Sequence, residues 1–163
     1  MSTSKKFRVF SANSSKLPSL AVLFLLPLCA WAQQNKIIVT PPDPLVVKHG
    51  ASANQDTKVT VVPGFHVNND KPKDEYLIPL KLTWTGPLEA GTIEYPKAEE
   101  IKVGGQTLVV LTGSFLIHTN FKAPASLAPG STTMTGKLRY QACNNEMCFR
   151  PSSVDVKLPV VVE

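Results

Sequence analysis

Met134-Thr135-Gly136-Lys137-Leu138-Arg139-Tyr140-Gln141-Ala142-Cys143 and, nine residues further on, Ser153-Val154-Asp155-Val156-Lys157-Leu158 are the segments whose reading decides the fold. Leu138, Tyr140 and Ala142 alternate with Lys137, Arg139 and Gln141, as Val154, Val156 and Leu158 do with Ser153, Asp155 and Lys157. Successive side chains of a strand leave on opposite faces, so this period of two describes a sheet with one buried and one wet face. Upstream, Phe115, Ile117, Thr119 and Phe121 share one face against Ser114, Leu116, His118 and Asn120.

Working outward, the pattern predicts strands over 45–48, 58–62, 76–84, 91–95, 107–111, 114–121, 134–143 and 153–162. Pro and Gly punctuate nearly every junction, and no stretch has convincing helical periodicity. Eight short strands in this length predict an all-β, immunoglobulin-like β-sandwich rather than a barrel. No internal repeat, low-complexity block or second domain is evident. The expected organisation is a signal peptide at 1–32, an N-terminal arm with a first strand at 33–54, and one sandwich domain at 55–163.

The leader reading rests on Lys5, Lys6, Arg8 and Lys16 ahead of an uncharged apolar run from Leu17 to Trp31. That run is short for the roughly 30 Å of a bilayer core and ends in Ala30-Trp31-Ala32, an A-x-A cleavage pattern. The mature chain is expected to start near Gln33, exported and periplasmic. Lipidation at Cys29 is disfavoured, because Leu28 before it is bulkier than the small residue that processing requires. Losing four of the seventeen Lys and Arg leaves thirteen against twelve Asp and Glu. A near-neutral mature chain without a cationic cluster argues against nucleic acid or an anionic membrane as partner.

Export also sets the redox compartment, since disulfides persist outside the cytosol. With Cys29 gone, Cys143 and Cys148 are a pair with one possible intramolecular link. They sit in the connection between the last two strands, where a hairpin brings them within the roughly 4.4–6.8 Å Cα separation a disulfide needs. A ring of about six residues removes only roughly 2 kcal/mol of unfolded-chain entropy, so such a link holds little besides its own loop. Pro151 stiffens the exit and removes a donor. Arg150 favours a thiolate at Cys148, and Glu146 opposes it. From the residues alone a static loop disulfide, a redox-active pair and a metal site stay open. Metal needs more ligands than two thiols, and His49, His66 and His118 show no ligand spacing.

Other conspicuous residues read as structural. Trp84 and Tyr140 are expected in the core, His118 at the surface and Gln141 as a solvated strand residue. Phe149 is divided between loop packing and an apolar contact facing a partner. No nucleophile-elbow spacing accompanies the Ser, His and Asp residues, and Gly104-Gly105 reads as a turn, not a phosphate loop.

Tyr140-Gln141-Ala142-Cys143, a short gap, then Cys148-Phe149-Arg150-Pro151 and the alternating strand up to Leu158-Pro159-Val160 resemble the N-terminal periplasmic domain of the thiol:disulfide interchange protein DsbD. Pro63-Gly64-Phe65-His66-Val67 with the Leu80–Trp84 strand is similar to an upstream strand pair of that family, and the likeness spans about residues 55–161. The resemblance implies an immunoglobulin-like sandwich whose cysteines exchange dithiol and disulfide. Cys148 then matches the cysteine that forms the mixed disulfide with a partner, and Cys143 the one that resolves it. Phe65 or His66 borders the site by the same analogy. The implied partners are thioredoxin-fold proteins, namely an electron donor and periplasmic disulfide isomerase-like acceptors, with a separately encoded membrane electron carrier. No cofactor and no metal are expected.

Two departures stand out. The family motif carries one more residue between its cysteines, and the family shields them with an aromatic residue just before a glycine. Here that place holds Val109-Val110-Leu111-Thr112-Gly113, so Leu111 or Val110 is expected to provide a weaker, aliphatic cap or none. The chain also ends at Glu163, which suggests a free-standing module. The rival reading is a non-enzymatic secreted β-sandwich, binding or structural, with a static disulfide.

Overall fold

The structure, a computed structural model, describes residues 35–103 and 105–163. The expected signal peptide and its cleavage site lie outside the described residues. The described residues form twelve strands: β1 (Ile37–Val39), β2 (Leu45–Val47), β3 (Ser52–Val61), β4 (His66–Asn68), β5 (Lys81–Thr85), β6 (Glu89–Glu94), β7 (Glu99–Val103), β8 (Gln106–Leu111), β9 (Ser114–Lys122), β10 (Gly130–Tyr140), β11 (Ala142–Cys143) and β12 (Ser152–Val162). Among the described residues there is no helix.

Two four-stranded sheets form the sandwich, one ordered β1-β3-β9-β6 and the other β2-β12-β10-β5. The alternating segments that opened the sequence reading are β10 and β12, paired antiparallel over eleven positions from Gly130↔Val162 to Tyr140↔Ser152. Their apolar phase faces inward, with Met134, Leu138, Tyr140, Val156, Leu158 and Val160 all buried. Ile117, Thr119 and Phe121 of β9 face them from the other sheet, also buried. The fold is the expected all-β, immunoglobulin-like sandwich.

Trp84 bridges two core clusters. Its indole Nε1 donates to Thr119 Oγ1 at 3.2 Å, and its ring meets Phe121 edge-on at 5.2 Å between centroids. Gly136 lies opposite it in the sheet, where a Cβ would stand 2.8 Å from the indole ring. The missing side chain is what lets the indole lie flat on the backbone there.

A third sheet, ordered β11-β4-β8-β7, closes one end. Val67, Leu111 and Ala142 carry it into the same core cluster as Val59, Ile117 and Leu138. The cysteine-bearing strand is therefore fixed by the sandwich core itself. Gly113, at φ +57, makes the tight turn from β8 to β9, and its carbonyl accepts Val61 N–H at 2.7 Å.

Several strand expectations shift. The 76–84 strand starts only at Lys81, because Pro79 interrupts the ladder and the preceding residues fold inward, with Leu80 N–H donating to Asn69 O at 3.0 Å. The 58–62 strand begins at Ser52, since β9 pairs with it along its polar front half, from Ser52↔Lys122. The two short strands β1 and β2 pair with β3 and with β12, the latter in parallel. β1 and the charged β7 were not among the predicted strands, and β4 was implied only by the likeness of the Pro63–Val67 segment to a family strand. The 134–143 strand is interrupted at Gln141, and the in–out alternation ends at Cys143, which is buried next to buried Ala142.

Candidate functional site

Cys143 and Cys148 form a disulfide, with Cα atoms 4.0 Å apart. The ring they close is a tight hairpin in which the two cysteines face each other as an antiparallel bridge. The backbone is held at both ends of the ring: Phe149 N–H donates to Ala142 O at 2.8 Å, and Asn144 N–H to Met147 O at 2.9 Å. Inside it, Asn144 Oδ1 accepts from Glu146 N at 2.9 Å and Met147 N at 2.8 Å, the self-capping habit of an Asx turn.

The two cysteines are not equivalently placed. Cys143, on β11 in the third sheet, is 2% exposed. Cys148 lies on the returning limb and is exposed, as are Asn145, Glu146 and Met147 before it.

Phe65 and Phe149 stand beside the ring, half-buried and edge-on, with centroids 5.6 Å apart. Lys36 Nζ lies over both rings, 4.7 Å from the Phe65 centroid and 5.7 Å from that of Phe149. This cation–π arrangement ties the segment before β1 to the cysteine loop. Lys36 N–H also donates to Tyr140 Oη at 3.2 Å, while the Tyr140 ring is in the core as expected. Lys36, Ala142, Phe149 and the exposed Arg150 line a cavity of about 180 Å³. Pro151 is exposed immediately beyond. Among the described residues neither Arg150 nor Glu146 forms an ion pair.

His66 pairs in register with Cys143 and is 3% exposed. Burial pushes its pKa below the usual imidazole value, so it is neutral at pH 7. Leu111 pairs with Val67 and is buried in the core, as is Val110 beside it. The structure thus turns both aliphatic candidates inward. The residues of that turn that approach the cysteine loop are Thr112 and Gly113, which share a hollow with Phe65, His66 and Asn145.

Gln141 corrects the sequence reading: it is not a solvated strand residue but the clamp of the site. Its Oε1 accepts from Asn68 Nδ2 at 3.1 Å and Ile78 N at 3.0 Å, and its Nε2 donates to Phe149 O at 3.2 Å. Asn68 Nδ2 also donates to Ile78 O at 3.0 Å. One side chain thereby joins β4, the loop before β5 and the exit of the cysteine hairpin. Lys36, Asn68 and Gln141 were all missed. The Asx habit of Asn144 was the one signal legible in sequence. Among the described residues no group of three or more His, Cys, Asp or Glu side chains is placed to hold a metal ion.

Residues 39–159 match the family described as "Thiol:disulfide interchange protein DsbD, N-terminal". No curated protein sequence matches the chain. Similar solved structures include the N-terminal periplasmic domain of ScsB from Proteus mirabilis, at 14% identity and a TM-score of 0.52, covering 75% of this chain and 44% of that one. The N-terminal domain of DsbD from Neisseria meningitidis in its reduced form is similar at 16% identity and a TM-score of 0.40, over 68% and 79% of the two chains. This chain spans less than half the length of the ScsB domain, and at such identities the likeness speaks for the fold.

Proposed function

The chain belongs to the family of DsbD N-terminal domains, and on that premise we propose that it is a periplasmic thiol–disulfide exchange module carrying reducing equivalents between thioredoxin-fold proteins through Cys143 and Cys148. The observation that carries this reading is the asymmetry of the pair: Cys148 is exposed on the returning limb of the hairpin, and Cys143, facing it on β11, is 2% exposed. A purely structural cross-link has no need of one reachable sulfur, and a six-residue ring adds little to the stability of the sandwich.

In the reducing direction, the Cys148 thiolate of the dithiol form attacks a partner's disulfide and forms an intermolecular mixed disulfide. Cys143 then attacks Cys148 Sγ, restores the intramolecular bond and releases the partner as a dithiol. Refilling reverses the sequence, with the donor being a thioredoxin-fold protein fed by a membrane electron carrier. Phe65, Phe149 and Lys36 form the surface next to Cys148 that a partner would meet, with Arg150 and Pro151 at its edge.

Two experiments test this. A thiol-alkylation gel shift across glutathione redox buffers should find the pair substantially reduced at potentials where a static link stays closed; a bond that stays oxidised throughout would favour the structural alternative. For the roles, Cys143→Ser should accumulate a mixed disulfide through Cys148 with a thioredoxin-fold partner. Trapping by Cys148→Ser and none by Cys143→Ser would reverse the assignment.

A further inference from the structure

The resolving step has a chemical difficulty: Cys143 must attack as a thiolate, yet it is buried where a charge is poorly solvated. His66 stands at its side. The two residues are direct antiparallel partners, which places their side chains on the same face with Cβ atoms roughly 4.5–5.5 Å apart. Their neighbours in the register, Val67 and Ala142, belong to the core cluster. Alternation therefore turns His66 and Cys143 to the other face. There His66 lines a hollow with Phe65, Ile101, Thr112, Gly113 and Asn145, the last belonging to the disulfide ring.

The imidazole Nε2 is buried and has no hydrogen-bond partner. Buried polar atoms are normally satisfied. In the oxidised protein Cys143 Sγ carries no hydrogen, so it has nothing to donate. Reduction gives it one. In the Nδ1-protonated tautomer the unpartnered Nε2 is an acceptor, and reduction puts a donor on its cross-strand neighbour.

We propose that His66 is the base that takes the proton of Cys143 when Cys143 resolves the mixed disulfide. This rests on the exchange reading above. Neutral His66 accepts the S–H proton at Nε2 and becomes imidazolium. The Cys143 thiolate attacks Cys148 Sγ, the Cys143–Cys148 bond forms, and the bond between Cys148 and the partner breaks with its electron pair leaving on the partner's sulfur. That thiolate, or water, then takes the proton from His66. Two electrons pass to the partner and no other reactant is needed. The imidazole's lowered pKa leaves it unprotonated and ready at pH 7. No charged side chain lines the hollow. The titratable groups on the surrounding elements are Glu99, Glu100 and Lys102 on β7 and Glu146 in the cysteine loop, all of them exposed. Glu99 accepts from Thr112 Oγ1 in the wall.

The test uses the reduced protein and one equivalent of dithiobis(nitrobenzoate). Release of the first thionitrobenzoate reports attack by Cys148, and release of the second reports resolution by Cys143. With His66→Gln the first phase should stay within about twofold of wild type, and the second should slow by about tenfold or more at pH 7. The difference between the two proteins should shrink at alkaline pH, where the thiol ionises without a base. In wild type the second phase should be flat with pH between the His66 and Cys143 ionisations. Superimposable second phases for wild type and His66→Gln would overturn the proposal. So would a wild-type second phase that climbs tenfold per pH unit without a plateau, which decides the matter even where the variant fails to fold. Absence of the first phase in wild type would instead refute the exchange reading itself, and this inference with it.

Discussion

Replacing Gln141 with leucine keeps the bulk of the side chain and deletes all of its hydrogen bonds. Three are lost: those from Asn68 Nδ2 and Ile78 N to Oε1, and that from Nε2 to Phe149 O. Asn68 Nδ2 retains the Ile78 carbonyl at 3.0 Å, so it is only partly stranded, whereas Ile78 N loses this acceptor. At roughly 0.5–1.5 kcal/mol per bond, with water replacing part of the loss at a half-buried site, the oxidised protein should be less stable by about 2–3 kcal/mol. For a domain of this size that lowers the melting temperature by roughly 6–15 °C. Urea titration should show an earlier midpoint at an unchanged slope, since the surface exposed on unfolding is the same. The Phe149 carbonyl anchors the exit of the cysteine hairpin, so alkylation of the reduced thiols should also become faster. A midpoint within about 0.5 kcal/mol of wild type, together with unchanged alkylation, would show that the clamp does not hold the loop.

Three further outcomes are expected. Gly136→Ala puts a Cβ 2.8 Å from the Trp84 ring and should destabilise by about 1–3 kcal/mol in thermal unfolding; a melting temperature equal to wild type would mean that the indole can retreat at no cost. Tyr95→Phe removes the hydroxyl that accepts Leu82 N–H at 2.8 Å, leaving that buried donor unmet, and should cost about 1–3 kcal/mol in urea, with a null result meaning that water takes the place of the hydroxyl. His66 has a folded pKa below its ordinary value of 6.5, so the unfolded chain binds the proton more readily. The contribution is complete above pH 6.5 and is lost as pH falls from there toward the folded pKa. Comparing urea midpoints at pH 7.5 and 5.5, wild type should lose more stability than His66→Gln, and equal losses would contradict the burial of a neutral imidazole.

The layers were legible in the order of residues alone. Period-two alternation in β9, β10 and β12 states which face of each strand is wet, because burial of the apolar phase is a local property of the pattern. Legible as well was that Cys143 and Cys148 are five positions apart in a hairpin connection, and a link between them needs no long-range information. What depended on strands remote in the chain was not legible. β4 is three residues long and exists because Val67 can sit between Ala142 and Leu111. Neither neighbour is near it in sequence. The aliphatic pair Val110 and Leu111 looked like a lid, but with β4 alongside, the core claims them. Gln141 sat in the polar phase of a strand, yet the break after Tyr140 brings its amide to Asn68 and Ile78. Which cysteine is exposed, and that an unpartnered imidazole stands beside the buried one, depended on the assembled sheets, because register between residues 66 and 143 is set by the shared core and not by either segment alone.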